Sequence, residues 1–144
     1  MSSPPHPGRG RSPEPGETPA PGGAREAGEP PESAAPSALP AQLEETLRAY
    51  DRFLSAERGR SVHTRRAYLS DVRDLLSFAL SRGLGEPADL DLALLRGWLA
   101  AMTADGRARS TIARRAASAR SFTAWAARTG RAGQDAGLRL RSPK

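Results

Sequence analysis

The residues best suited to chemistry in this chain are arginines set among small side chains. Arg107-Ala108-Arg109 leads into Ser110 and Thr111, and helical spacing then puts Ser110, Arg114, Ala117, Ser118 and Ser121 on one face. A guanidinium fork pairs with phosphate oxygens or guanine edges, and small residues between such forks let a helix backbone approach a groove floor. The amides of a first helical turn at Ser110, Thr111 and Ile112 would add an anion site. The bland alternative makes Arg114 and Arg120 solvated surface residues. Arg115 falls beside Ala119 and Phe122 on a helical wheel. Two positions stay open for it: emerging past the edge of a bundle, or touching an incoming duplex. A second cluster, Ser61-Val62-His63-Thr64-Arg65-Arg66, places hydroxyls and arginines at another helix start. There the plain reading is capping by Ser61, packing by Thr64 and a solvated His63.

Catalytic chemistry has little to draw on. The chain contains no cysteine, which excludes thiolate zinc sites, iron–sulfur clusters, disulfides and cysteine nucleophiles. His6 and His63 are the only histidines, and no acid or nucleophile is spaced to support either as a base. The carboxylate groupings Glu44/Glu45 and Asp71/Asp74 lie among arginines on amphipathic segments, so surface ion pairs explain them better than acid–base work. Gly8-Arg9-Gly10 and Gly22-Gly23 lack the strand–turn–helix context of a phosphate loop. Neither a cofactor nor a metal is implied, and the 144 residues read as non-catalytic by themselves.

The elements that must position these arginines begin after a compositional break. Ten of the 13 prolines fall in residues 1–38, where Met1 is the only large aliphatic side chain. Such a segment buries too little apolar area to offset the entropy of ordering and is expected to be a disordered tail. No signal-like apolar run follows Met1 and no run approaches membrane-spanning length, which reads as a soluble intracellular protein.

Four helices are predicted from apolar spacing. Leu43, Leu47, Tyr50 and Leu54 draw a stripe over 40–58. Ser61 caps a second helix running to Gly83, with Thr64, Tyr68, Val72, Leu75, Leu76 and Ala79 inward; Leu69 and Phe78 widen that face, as suits a central helix. Arg66, Ser70, Arg73, Asp74 and Ser77 form its wet side. Asp89 or Asp91 caps a short third helix carrying Leu94, Leu95, Trp98, Leu99 and Met102. Ser110 caps a fourth, with Ile112, Ala116, Ala119, Phe122 and Ala126 buried, Trp125 near the edge, and Gly130 at its close.

The expected fold class is therefore all-α: a four-helix domain of two antiparallel hairpins over 39–130, followed by a linker or loose terminus at 131–144. Its charge is uneven. Residues 39–105 carry nine basic and ten acidic side chains, whereas 106–144 carry ten basic and one acidic. A polyanion is thus the favoured partner, contacted through the fourth helix and its flanks. The alternative is a protein-interaction module with Trp98, Met102 or Trp125 as an exposed anchor. Ser61 with Arg65-Arg66-Ala67 and Ser110 with Arg114-Arg115-Ala116 share one spacing, which suggests similar hairpin geometry.

A resemblance adds to these readings. Leu47-x2-Tyr50-x2-Phe53-Leu54-x2-Glu57-x-Gly59, then Ser61-x2-Thr64-x2-Ala67-Tyr68-x2-Asp71-Val72-x2-Leu75, and later Ser110-x2-Ala113-Arg114-x4-Ala119-x-Ser121-Phe122-x2-Trp125 follow one pattern in order and spacing. They resemble the N-terminal core-binding (SAM-like) domain of Xer-type tyrosine recombinases, over about residues 39–144. Arg/Ala usage and the Pro-rich start are similar to actinobacterial versions. Val72 stands where the family usually carries leucine.

The resemblance implies a module that grasps double-stranded DNA with its second and fourth helices. Carried onto this chain, the DNA-binding residues are Ser61, Thr64, Arg65 and Arg66, with Ser110, Thr111, Arg114, Arg115 and Ser118, joined by Arg107 and Arg109 from the charge pattern. Ala136-Gly137-Leu138 and Ser142-Pro143-Lys144 look like the segment before a catalytic domain. The family's nucleophilic tyrosine and its partners belong to that other domain; Tyr50 and Tyr68 sit in core stripes and do not replace it. An intact member would exchange DNA strands in a DNA-bound tetramer of recombinase protomers, resolve chromosome dimers, and work in the cytoplasm.

Overall fold

The computed structural model describes residues 38–142. The expected tail therefore lies outside the described residues except for Ala38, as do Pro143 and Lys144. Four α-helices follow in order: α1 (Ala41–Ala56), α2 (Val62–Leu80), α3 (Leu92–Ala104) and α4 (Arg109–Arg128). No strand occurs among the described residues, so the architecture is an all-α four-helix bundle.

Each helix forms where its apolar period and end signals agree. In α1, Leu43, Leu47, Tyr50 and Leu54 are all buried, and Pro40 stands at the N-cap. Ser61 caps α2 by accepting the Thr64 N–H at 3.0 Å. Of the two candidates for α3, Asp91 is the cap, its Oδ1 accepting the Leu94 N–H at 2.7 Å. Asp89 instead closes a single 3-10 turn, Pro87–Asp89, that periodicity cannot reveal in so short a stretch. Gly106 ends α3 at φ +78°, a left-handed conformation that glycine adopts without a Cβ penalty. The Arg107 N–H can then donate back to the Met102 carbonyl at 3.0 Å.

One cap expectation fails. Helix α4 begins at Arg109 with Ala108 at its N-cap and no side-chain cap bond, so Ser110 lies inside the first turn. Ile112 already donates to the Ala108 carbonyl. The amides without an intrahelical acceptor are consequently those of Arg109, Ser110 and Thr111, one residue earlier than the spacing suggested.

Helix α2 packs on all three others. Ion pairs fix its direction relative to α1: Arg73 meets Glu44 near the start of α1, and Arg65 meets Asp51 near its end, so the two run antiparallel. Tyr50 and Phe53 of α1 meet Phe122 and Trp125 of α4, with Tyr50 edge-on to Phe122 at 5.2 Å between ring centroids. The Tyr50 phenol donates to Ser121 Oγ at 2.8 Å. Aromatic edges of this kind add to the burial of large side chains that stabilises the core.

Residues 131–142 are not loose. Leu140 is 3% exposed and belongs to the core, and the Gly137 N–H donates to Thr123 Oγ1 on α4 at 3.2 Å. Loss of helical period after Gly130 marked the end of α4 correctly, but says nothing about docking by an irregular segment.

Candidate nucleic-acid interface

The basic side chains of α4 divide into two groups with different surroundings. At the entrance, Arg109 and Ser110 are exposed, while Arg107 and Thr111 are half-buried. Neither Arg107 nor Arg109 is ion-paired among the described residues. The Arg107 Nη1 is shielded from solvent without a hydrogen-bond partner, a donor left wanting an acceptor. With the three first-turn amides beside them, these groups form a cationic helix entrance that suits phosphate.

One turn further in, the arginines point the other way. Arg114 holds Asp71 of α2 with two bonds, Nε to Oδ2 at 2.9 Å and Nη2 to Oδ1 at 2.6 Å. The Ser118 hydroxyl donates to Asp71 Oδ2 at 2.7 Å, and Arg115 Nε pairs with Asp71 Oδ1 at 3.2 Å. Arg115 also donates through Nη1 to Asp74 Oδ2 at 2.9 Å, an oxygen that accepts the Trp98 indole N–H at the same distance. Asp71 and Ser118 are both 0% exposed and Arg115 is 3% exposed. Burial of this kind is tolerated because every charge meets an opposite charge and a hydrogen bond.

Three expectations are corrected by this network. Arg115 neither emerges past the bundle edge nor faces an incoming duplex; it lies inside, beneath Asp71 and Asp74. Ser118 is likewise turned inward, although its spacing put it on the face with Ser110 and Arg114. Asp71 is not half of a surface pair. Its position between Tyr68 and Leu75 on the inward face was a signal that an acid there needs a buried partner. Asp74, placed on the wet side, does keep about half of its side chain in solvent. Glu44 and Glu45 do form the expected outer pairs, with Arg73 and Arg48. Two hydrogen bonds from Arg73 hold the Glu44 carboxyl below its ordinary pKa.

The second cluster is more open. Ser61, His63 and Arg66 are exposed; Thr64 and Arg65 are half-buried, and Arg65 leans on Asp51 at 3.1 Å. The structure does not bring this cluster next to the α4 entrance. Asp71 lies level with Ser118 and Asp74 with Arg115, while Tyr50, near Asp51 and hence Arg65, lies level with Ser121. Helices α2 and α4 are therefore antiparallel, and the two basic starts stand at opposite ends of the pair, roughly 25 Å apart at about 1.5 Å rise per residue. Between them runs the outward arc of α4, where Ala113, Ala117, Ser121 and Ala124 are exposed or half-exposed.

The alternative anchors fail. Trp98, Met102 and Trp125 are all buried, so none offers itself to a protein partner. Tyr50 is fully buried, and desolvation pushes its phenol pKa well above the ordinary range. Tyr68 is half-covered by the Arg60 guanidinium, 4.8 Å above its ring. Neither tyrosine is presented as a nucleophile. Among the described residues no helix is long and apolar enough to cross a membrane.

Residues 47–130 match the phage integrase N-terminal SAM-like domain family. The chain belongs to that family. Among individual relatives it is similar to the tyrosine recombinase XerC of Mycobacterium sp. (strain KMS), 48% identical over 103 residues that cover 71% of this chain and 34% of the relative. The tyrosine recombinase XerC of Mycobacterium tuberculosis (strain ATCC 25177 / H37Ra) is 47% identical over 102 residues, with the same two coverages. No solved structure gave a significant match. The chain thus spans about a third of the length of the curated relatives it matches.

Proposed function

We propose that this SAM-like domain is the DNA-grasping module of a XerC-like site-specific tyrosine recombinase. The observation that carries the reading is the α4 entrance, where Arg107 and Arg109 have no ion pair among the described residues and three amides lack an intrahelical acceptor. Phosphate contacts come from Arg107, Arg109, Ser110 and Thr111, with Arg114 at the rim of the same face. Ser61, Thr64, Arg65 and Arg66 reach the duplex at the far end of the α2–α4 pair. Arg115 and Ser118 hold the two helices together and touch no DNA.

In this reading residues 39–130 form the binding domain and 131–144 lead toward the strand-exchanging part of the recombinase. The intact protein would act in the cytoplasm as a tetramer of recombinase protomers on DNA, resolving chromosome dimers through a phosphotyrosyl intermediate formed outside these residues.

Fluorescence anisotropy with a duplex across a salt series tests the binding step. Affinity is expected to fall steeply with salt, and Arg107→Ala/Arg109→Ala is expected to reduce the log–log slope by about 1.8, two phosphate contacts' worth. Helicity should not change, because neither side chain belongs to the apolar core and alanine favours a helix. A wild-type chain whose weak binding ignores salt, or a double variant that binds like wild type, would remove the entrance from the account.

A further inference from the structure

The docked segment after α4 creates a second basic site. Gly137 lies so close to α4 that a Cβ there would stand 2.5 Å from Thr123 Oγ1 and 3.3 Å from the Arg120 Cα. Any side chain there would force Thr123 or the segment itself to shift. Three residues on, Leu140 enters the core and its carbonyl accepts Arg120 Nη1 at 3.1 Å. The segment is therefore latched at two points, and the residues around the second latch are forced outward. Leu138 is 75% exposed, and Arg139 and Arg141 are exposed as well.

Arg120, Leu138, Arg139, Leu140, Arg141 and Ser142 surround an open notch of about 390 Å³. Three guanidinium-bearing residues line it and no carboxylate does. Among the described residues Arg139 and Arg141 have no ion pair. Like charges gathered without a counter-charge repel one another, and a bound anion relieves that repulsion. On the wheel Arg120 shares the outward arc of α4 with Arg109, Ala113 and Ala117, so the notch continues the face that begins at the entrance.

We propose that this notch binds a phosphodiester of the duplex, as a contact separate from the α4 entrance; it rests on the reading of this domain as a DNA-binding module. Arg139 and Arg141 supply the charge, Arg120 sets the floor, and the Gly137 latch holds the arginines in place. The segment after α4 is then part of the DNA-binding surface and not only a connection.

The test measures salt-dependent duplex binding by the 144-residue chain and four variants. Arg139→Ala/Arg141→Ala, at exposed positions that leave the fold intact, is expected to lower the log–log slope by about 1.8. Gly137→Ala keeps all charges but displaces the latch, and is expected to lower it too. Arg48→Ala/Arg52→Ala, on α1 beside Glu45, controls for overall charge and should leave binding unchanged. Arg107→Ala/Arg109→Ala reports on the entrance independently.

If the Arg139/Arg141 variant, or a folded Gly137→Ala, binds with the wild-type slope while the Arg107/Arg109 variant loses affinity, the notch is wrong and the entrance stands. An equal slope reduction by Arg48/Arg52 likewise reduces the notch to bulk charge and overturns it. A wild-type chain that binds no duplex removes both sites together.

Discussion

The starts of α2 and α4 carry the same letters at the same spacing, Ser-x3-Arg-Arg-Ala, and the protein uses them in opposite ways. At α2, Ser61 is the N-cap, Arg65 leans on Asp51 and Arg66 stands in solvent. At α4 the helix begins earlier, at Arg109, so the motif sits two residues deeper and is rotated by about 200° relative to its helix end at 3.6 residues per turn. Ser110 caps nothing there, and Arg115 is buried against Asp71 and Asp74. A shared motif therefore does not specify a shared role. What matters is where the helix starts and which acids the neighbouring helix presents.

The largest test of this contrast removes the acid. Asp71→Ala leaves the buried Arg115 and Ser118 without their shared acceptor and frees the two Arg114 bonds, so a loss of about 3–5 kcal/mol is expected in denaturant unfolding. A loss below about 1 kcal/mol would mean the network is incidental to the bundle.

Next, the corresponding arginines should separate. Arg115→Ala is expected to cost about 3 kcal/mol, because it removes a buried cation from the fully buried Asp71 carboxylate. Arg66→Ala should stay within about 0.5 kcal/mol, as exposed substitutions do. Equal costs in paired unfolding curves would contradict the inward and outward assignment.

The aromatic contact between α1 and α4 gives a pH prediction. Because desolvation raises the Tyr50 pKa in the folded chain, its stabilisation is complete below the ordinary tyrosine range, about pH 10. It is lost as pH rises further, since the unfolded chain ionises first. Tyr50→Phe should lose about 1 kcal/mol with the Ser121 bond at neutral pH, yet show a shallower decline in stability above pH about 10. An unchanged alkaline decline would place the sensitivity elsewhere.

The smallest effect compares the serines. Ser61→Ala should cost about 1 kcal/mol for the lost cap, while Ser110→Ala should leave thermal unfolding nearly unchanged. Reversal of that order would show that α4 starts at Ser110 after all.

Helix number, approximate ends and the inward apolar positions were legible because they depend on local period and caps. Leu43, Leu47, Tyr50 and Leu54, or Leu94, Leu95, Trp98, Leu99 and Met102, recur as one face of a helix whatever packs against it. The binding surface was legible only in part. Arg109 and Ser110 stand outward, with Arg107 and Thr111 half-buried beside them, whereas Arg115 and Ser118 turned inward for a reason located more than forty residues away, at Asp71 and Asp74. The docking of 131–142 was hidden for the same reason, since Gly137 fits Thr123 and Leu140 fills the core without any repeating pattern.

The amino-acid sequence by itself determined four amphipathic helices, a basic excess concentrated from Gly106 onward and membership of a recombinase-associated domain family, because periodicity, charge and motif spacing are properties of the chain read in order. The tertiary structure alone decided which arginines face solvent. A guanidinium two turns into a helix goes to whichever carboxylate the adjacent helix places within reach, and that distance exists only once α2 and α4 have packed antiparallel.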